Sequence, residues 1–232
     1  MAATARARVR AEITDEITAI ARRHLAEQGA SGLSLRAVAR ELGMVSSAVY
    51  RYFPSRDALL TALIVDAFSA VGDAAEQAEV TRPREDVEGR WVAAALGVRA
   101  WARAHPHEYA LVYGTPVPGY RAPADTIDPA QRVNLVLLRI VADGVASGVV
   151  EPGPPLRTPP SLAADLAAVR AALAPDVPDA VLCRALLVWT QVLGGISYEL
   201  FGHLQNGVHD LDAFFELQVR QGAAYLLRGA AR

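Results

Sequence analysis

The chain has 232 residues, 52% of them hydrophobic, and a formal charge of −2. That length can bury a real core in one large domain or two modest ones, and no uncharged apolar run reaches membrane-spanning length, so no span is expected. Charge excludes a generic polyanion binder but is unevenly spread: residues 1–60 hold nine Arg against six Asp and Glu, a net of +3, and the remainder holds 14 Arg against 19 acids, a net of −5.

In chain order, a first helix is expected from about Arg8 to Gln28. Ile13, Ile17, Ile20, Ala21 and Leu25 recur there at helical spacing, and Gly29 and Gly32 end it. Ser34 is a good N-cap for a helix carrying Leu35, Val38, Ala39 and Leu42. Gly43 makes a turn, and a further helix runs through Ala48 to Tyr52 until Pro54 closes it. Ser55 caps a long fourth helix with Leu59, Leu60, Leu63, Ile64, Ala67 and Phe68 on its apolar face.

Residues 86–105 stay helical and carry Trp91, Leu96, Val98 and Trp101, and His105-Pro106 interrupts them. A short segment, His107 to Tyr113, precedes the irregular TPVPGYRAP. Pro129 starts another helix, with Val133, Val136, Leu137, Ile140 and Val141 inward. A proline-stiffened loop spans 149–160, and a helix follows from Leu162 to Leu173. Two helices at about 178–203 and 210–229 finish the chain. The first is apolar on two faces, one with Leu182, Leu186, Trp189, Leu193, Ile196 and Leu200, the other with Val181, Ala185, Val188 and Val192. A helix that apolar must be covered on nearly all sides. No alternating strand pattern appears, so the fold class is all-α.

The stretch Ser34 to Phe53, SLRAVARELGMVSSAVYRYF, is the most informative. Two short helices about a tight glycine turn form the unit that sets its second helix in the DNA major groove. With Tyr50-Arg51-Tyr52-Phe53, Ser55-Arg56-Asp57 and Leu59-Leu60, residues 10–65 closely resemble the TetR (tetracycline-repressor-like) family. That family usually has lysine where Arg56 stands and serine where Val45 stands. HPHEYALVYG and WTQVLGGISYELFGHL resemble the branch with a Trp-His-Gly pattern in its C-terminal domain. Trp189 and Gly194 fit that pattern, while Leu193 replaces the histidine, whose role is therefore not inherited.

The resemblance implies a three-helix DNA-binding domain over residues 1–54, with the linking helix starting there and running to about 72. It implies a larger regulatory and dimerisation domain over 55–232. It further implies a homodimer through the two C-terminal helices, a palindromic double-stranded DNA operator and a small-molecule effector that relieves repression. The dimer has separate support, since the two-faced apolar helix would leave a large patch bare in a monomer.

Expected DNA contacts follow residue by residue. Ser34 places backbone N–H groups near a phosphate, and Arg36 pairs with the backbone or reaches a groove. Ser46, Ser47 and Ala48 are small enough for close groove approach, and Ala48 can pack on a thymine methyl. Arg51 is the best candidate for guanine, and Arg56 for a phosphate. Valine cannot cap, so the second helix is expected to start on Ser46. Tyr50 and Tyr52 lie about 200° apart around a helix, so both cannot face one core, and Phe53 is expected to be core.

An effector pocket is expected to be apolar with a few polar groups, with Trp91, Trp101, Tyr109, Tyr113, Trp189 and Tyr198 as candidate walls. Aromatics at this spacing are also ordinary core. His105, His107, His203 and His209 lack zinc-site spacing, so no metal or cofactor is expected. Gly194-Gly195 suggests close helix packing or a kink. The single Cys183 and the absence of an apolar stretch after the N-terminal arginines suggest a cytoplasmic protein. No Ser-His-Asp order or paired carboxylates favours an enzyme. The rival readings are a helical ligand-binding protein or enzyme whose helix-turn-helix no longer binds DNA, and an architectural DNA binder without an effector. All 23 basic residues are arginine, a bias that points to no particular function.

Overall fold

The computed structural model describes residues 2–153 and 158–228. Part of the loop expected at 149–160 (residues 154–157) and the last residue of the helix expected at 210–229 lie outside them. The described residues are helical, without a strand. They pack as two compact units, Met1–Ala70 with His105–Ala130, and Val71–Ala104 with Gln131–Arg232.

In the first unit α1 spans Ala2–Gln28, starting earlier than the expected Arg8 because alanine and arginine are strong helix formers. Helix α2 spans Leu35–Glu41, and the Ser34 hydroxyl accepts from the Ala37 amide at 3.5 Å. Gly43 then takes φ +66°, a left-handed turn conformation that glycine adopts without strain. Helix α3 is four residues, Ser46–Val49. It was expected to continue to Tyr52, but the chain tightens after Val49. The amides of Arg51 and Tyr52 donate back to the carbonyls of Ala48 and Val49 at 3.2 and 2.9 Å, the i to i+3 pattern of a closing turn before Pro54.

Helix α4, Arg56–Glu79, opens on Ser55, whose hydroxyl accepts from the Ala58 amide at 3.0 Å. Its residues to Ala70 belong to the first unit and the rest to the second. After α5 (Val87–Ala104), α6 (Pro106–Tyr113) returns to the first unit. Ile17, Val38, Val49, Phe53, Leu59, Leu60 and Leu63 form a buried cluster, with Leu111, Val112, Val117 and Tyr120 packed against it. That packing makes this unit larger than the 1–54 segment read from the sequence: 105–130 completes its core.

The second unit holds α5, most of α7 (Ile127–Ala146), α8 (Pro160–Leu173), α9 (Asp179–Leu200) and α10 (Leu211–Arg228). Pro129 sits in the first turn of α7, two residues after its start, and α9 ends three residues before the expected 203. Trp91, Ile140, Leu182, Ile196, Phe215 and Leu226 are fully buried. By length and composition α4 and α9 could each cross a membrane, yet α9 carries the buried Arg184 and α4 the buried Glu79 among these core residues.

Buried arginines tie the helices of this unit together. Arg90 bonds Glu79 at 2.7 Å and Asp143 at 2.9 Å, and Arg139 reaches the same Glu79 at 3.1 Å. Arg99 forks onto Glu199 at 2.7 and 2.9 Å and lies 4.9 Å over the Phe215 ring. Burial alone would lower the Arg90 guanidinium, but Glu79 and Asp143 hold it above its ordinary value.

Glu79→Ala should destabilise the chain by about 3–5 kcal/mol, because it strips Arg90 of a buried counter-charge. Gly43→Ala should cost about 1–2 kcal/mol from forcing a side chain into the left-handed region. Urea unfolding of each variant checks both.

Candidate nucleic-acid interface

Burial of Val49 and Phe53 decides what the α2–α3 unit presents. Both are core, four residues apart, so the intervening and preceding side chains turn outward. Ser47, Tyr50 and Arg51 are exposed, and Ser46, Ala48 and Tyr52 are half-buried. These six lie on one continuous segment, with Arg36 exposed on the preceding helix and Ser34 half-buried at its cap. The Ser34 hydroxyl oxygen accepts in capping, and its O–H remains a donor that can meet a phosphate beside the first backbone amides of α2.

Val45 occupies the N-cap of α3. Its backbone is extended, its carbonyl accepts from the Ala48 amide at 2.9 Å, and no side chain caps the helix. The helix therefore begins at Ser46, and an apolar side chain 71% exposed stands where the family commonly has serine.

Arg56 sits elsewhere than a free phosphate clamp would. Its Nε donates to the Leu33 carbonyl at 3.2 Å and its Nη2 to the Ala30 carbonyl at 2.6 Å, while Nη1 reaches Asp57 at 3.5 Å. It fastens the α1–α2 connection to the start of α4. Three of the five N–H donors of a guanidinium are then in use.

Arg10 was missing from the sequence reading. Its guanidinium lies 5.0 Å from the Tyr52 ring centroid, and its Nη2 donates to the Arg51 carbonyl at 3.4 Å. The available signal was its spacing: Arg10 precedes Ile13 and Ile17 by three and seven residues, on the same side of α1.

The aromatic candidates for a pocket divide between the units. Tyr109 and Tyr113 belong to the first, with ring centroids 5.2 Å apart and Phe68 edge-on to Tyr113 at 6.0 Å. Burial, followed by the neighbouring Tyr109, pushes the Tyr113 hydroxyl well above the ordinary phenol range. Trp91, Trp101 and Trp189 are buried in the second unit. Tyr198 is 56% exposed, 5.1 Å from the His203 ring. An open depression in the second unit is lined instead by Arg103, His209, Asp210, Leu211 and Asp212. A Cβ at Gly195 would meet only the amide end of Gln218, a flexible side chain that donates to the Gln191 carbonyl at 2.7 Å and can shift.

A cap, a glycine turn and a short helix pinned by two core residues define a helix-turn-helix DNA-binding regulator, with a larger helical unit beyond it. Comparison with known proteins agrees. Residues 17–63 match the family described as bacterial regulatory proteins, tetR family, and residues 91–221 match the tetracyclin repressor-like C-terminal domain. The chain is 40% identical over 219 residues to the HTH-type transcriptional regulator Rv1816 of Mycobacterium tuberculosis, covering 94% of this chain and 93% of that one. The regulator Mb1846 of Mycobacterium bovis gives the same figures. Among solved structures, SCO4313, a protein assigned a regulatory role, is 34% identical with a TM-score of 0.76, covering 93% of this chain and 97% of that one. A protein of unknown function from Rhodococcus sp. RHA1 shares the fold at 24% identity and a TM-score of 0.69, over 94% and 95% of the two chains. The chain belongs to the TetR family of transcriptional regulators.

Arg51→Ala should weaken binding to a selected DNA site by about 1–3 kcal/mol and relax preference at one base position. Titration against a set of single-base variants checks this; equal loss on every variant would remove Arg51 from base readout.

Proposed function

We propose that the chain is a repressor that binds a palindromic operator as a homodimer and is released by a small-molecule effector. Ser34, Arg36, Tyr50 and Tyr52 meet phosphate, together with the two donors left on Arg56. Ser46, Ser47, Ala48 and Arg51 meet base edges. The observation that carries this reading is the outward set on α3 and the turn after it, held in place by Val49 and Phe53.

The dimer rests on the outer face of the last two helices. Leu186, Leu187, Tyr198 and Phe201 are exposed, as are Phe214 and Leu217 on α10. On α9 they lie on the side opposite Val181, Ala185, Val188 and Val192 at about 100° per residue. Gly194 is on that exposed side, and a Cβ there would meet nothing within 4 Å. Glycine inside a helix costs about 0.5–1 kcal/mol relative to alanine, and close approach of a partner helix would explain its presence. Two such faces packed together remove a patch that a soluble monomer rarely exposes.

Effector release follows from differential affinity: a ligand that favours one dimer arrangement lowers operator affinity by its preference for that arrangement. The candidate lever is the start of α4, from Ser55 to Val71. Trp91, buried with an indole N–H that lacks an acceptor, offers a polar handle in an apolar site. A cytoplasmic, non-enzymatic role goes with this reading.

Selection of bound sequences from a random duplex library, repeated at two salt concentrations, tests the proposal. An enriched inverted repeat with a steep salt slope is expected. No enrichment would favour a helical ligand-binding protein whose helix-turn-helix has lost its DNA role, and binding without sequence preference an architectural protein. Leu187→Arg should shift the chain to a monomer in sedimentation equilibrium while its helical circular dichroism is kept. An unchanged dimer would place the interface elsewhere.

A further inference from the structure

We infer that the first three turns of α1 extend the DNA interface as a phosphate-binding arm, in which Arg6 and Arg10 contact the backbone and Arg8 does not. The inference rests on the DNA-binding reading and adds a contact surface outside the helix-turn-helix.

The nine arginines of residues 1–60 sort by partner. Arg22 pairs with Asp66 and Glu108, Arg23 with Glu41, and Arg56 with Asp57. Arg8 leans on Glu12, one turn on, at 3.5 Å. Among the described residues Arg6, Arg10, Arg36, Arg40 and Arg51 have no carboxylate within ion-pair distance. Three of these lie on α2 or the turn after α3, and the other two are the pair on α1.

Continuity places that pair against the reading segment. The contact of Arg10 with Tyr52 and with the Arg51 carbonyl fixes one point of α1 directly beside the residues that follow α3. Along an α-helix, Arg6 stands about 40° and 6 Å from Arg10, on the same side and one turn further out, whereas Arg8 stands about 160° away. Among the described residues Arg6 is therefore an exposed cation without a counter-charge, on the helix side that carries Arg10. Residues 1–11 hold no Asp or Glu.

Charge complementarity names the occupant. Duplex DNA brings a row of phosphates past the reading segment, and a cation held next to that segment meets the flanking backbone. Such contacts fix register and add affinity but carry no base information. Arg10 already serves Tyr52, so its loss would mix packing with binding. Arg6 has no such second duty and is the residue to test.

The experiment is anisotropy titration of a labelled duplex carrying the library-selected repeat, with the unaltered chain, R6A and R8A, at several salt concentrations. R6A should flatten the salt slope by about one unit for each chain bound, and leave the preference at every base position unchanged. Between about 50 and 200 mM salt, that shrinks the advantage of the unaltered chain on the order of threefold per chain, and on the order of tenfold for a bound dimer. R8A should keep the original slope. Alanine sustains the helix at both positions, and circular dichroism verifies it. Equal losses in R6A and R8A would show only general charge attraction, and no change in R6A would show no contact; either overturns the arm. Failure of the unaltered chain to bind any duplex selectively would overturn the regulator reading itself, and the arm with it.

Discussion

A four-residue helix cannot hold its own shape: fixing the first turn costs more than one hydrogen bond returns. Helix α3 exists because Val49 and Phe53 are buried among Ile17, Val38, Leu59 and Leu60, side chains of α1, α2 and α4. Every reading residue takes its direction from those two anchors. The Gly43 turn and the Arg56 bonds to Ala30 and Leu33 serve the same end, since they set where α2 finishes and where α4 begins. The interface is thus a property of one apolar cluster rather than of the segment that touches DNA.

The second unit is organised by a different constraint. Its helices carry guanidinium groups into the interior, and each of Arg90 and Arg99 is met by two carboxylates. Buried pairs of this kind contribute little net stability against apolar residues of similar size, but breaking one partner is costly. Arg184 is held differently, by the loop carbonyls of Glu151 and Pro152. Burial, opposed only weakly by the charges of Tyr225 and Glu151, leaves its guanidinium below the usual arginine range.

Helix periodicity made most of the elements legible, and caps at Ser34 and Ser55 were readable because small hydroxyl residues precede apolar helical runs. The family was legible from order and spacing around Gly43 and the aromatic triplet. The early end of α3 was not, since periodicity cannot tell an α-helix from a tighter final turn. Nor could spacing reveal that 105–130 completes the first unit's core, a long-range packing fact carried by Leu111, Val112, Val117 and Tyr120. Arg56 illustrates the same limit: residue type suggested a phosphate, while proximity gave two of its donors to backbone carbonyls and a third to Asp57. Aromatic content did not distinguish core from surface either, as Tyr109 and Tyr198 show.

The chain contains no lysine, and its basic surface is made of guanidinium alone. An ammonium loses charge when acylated and can be desolvated into neutrality, whereas guanidinium stays protonated at any pH a cell tolerates. A surface charged only by arginine is therefore blind to lysine acylation and nearly flat in response to alkaline stress. Its arginine side chains offer no lysine amine to acylate and no proton to lose, so these cations hold a polyanion with a charge that only geometry or salt can weaken.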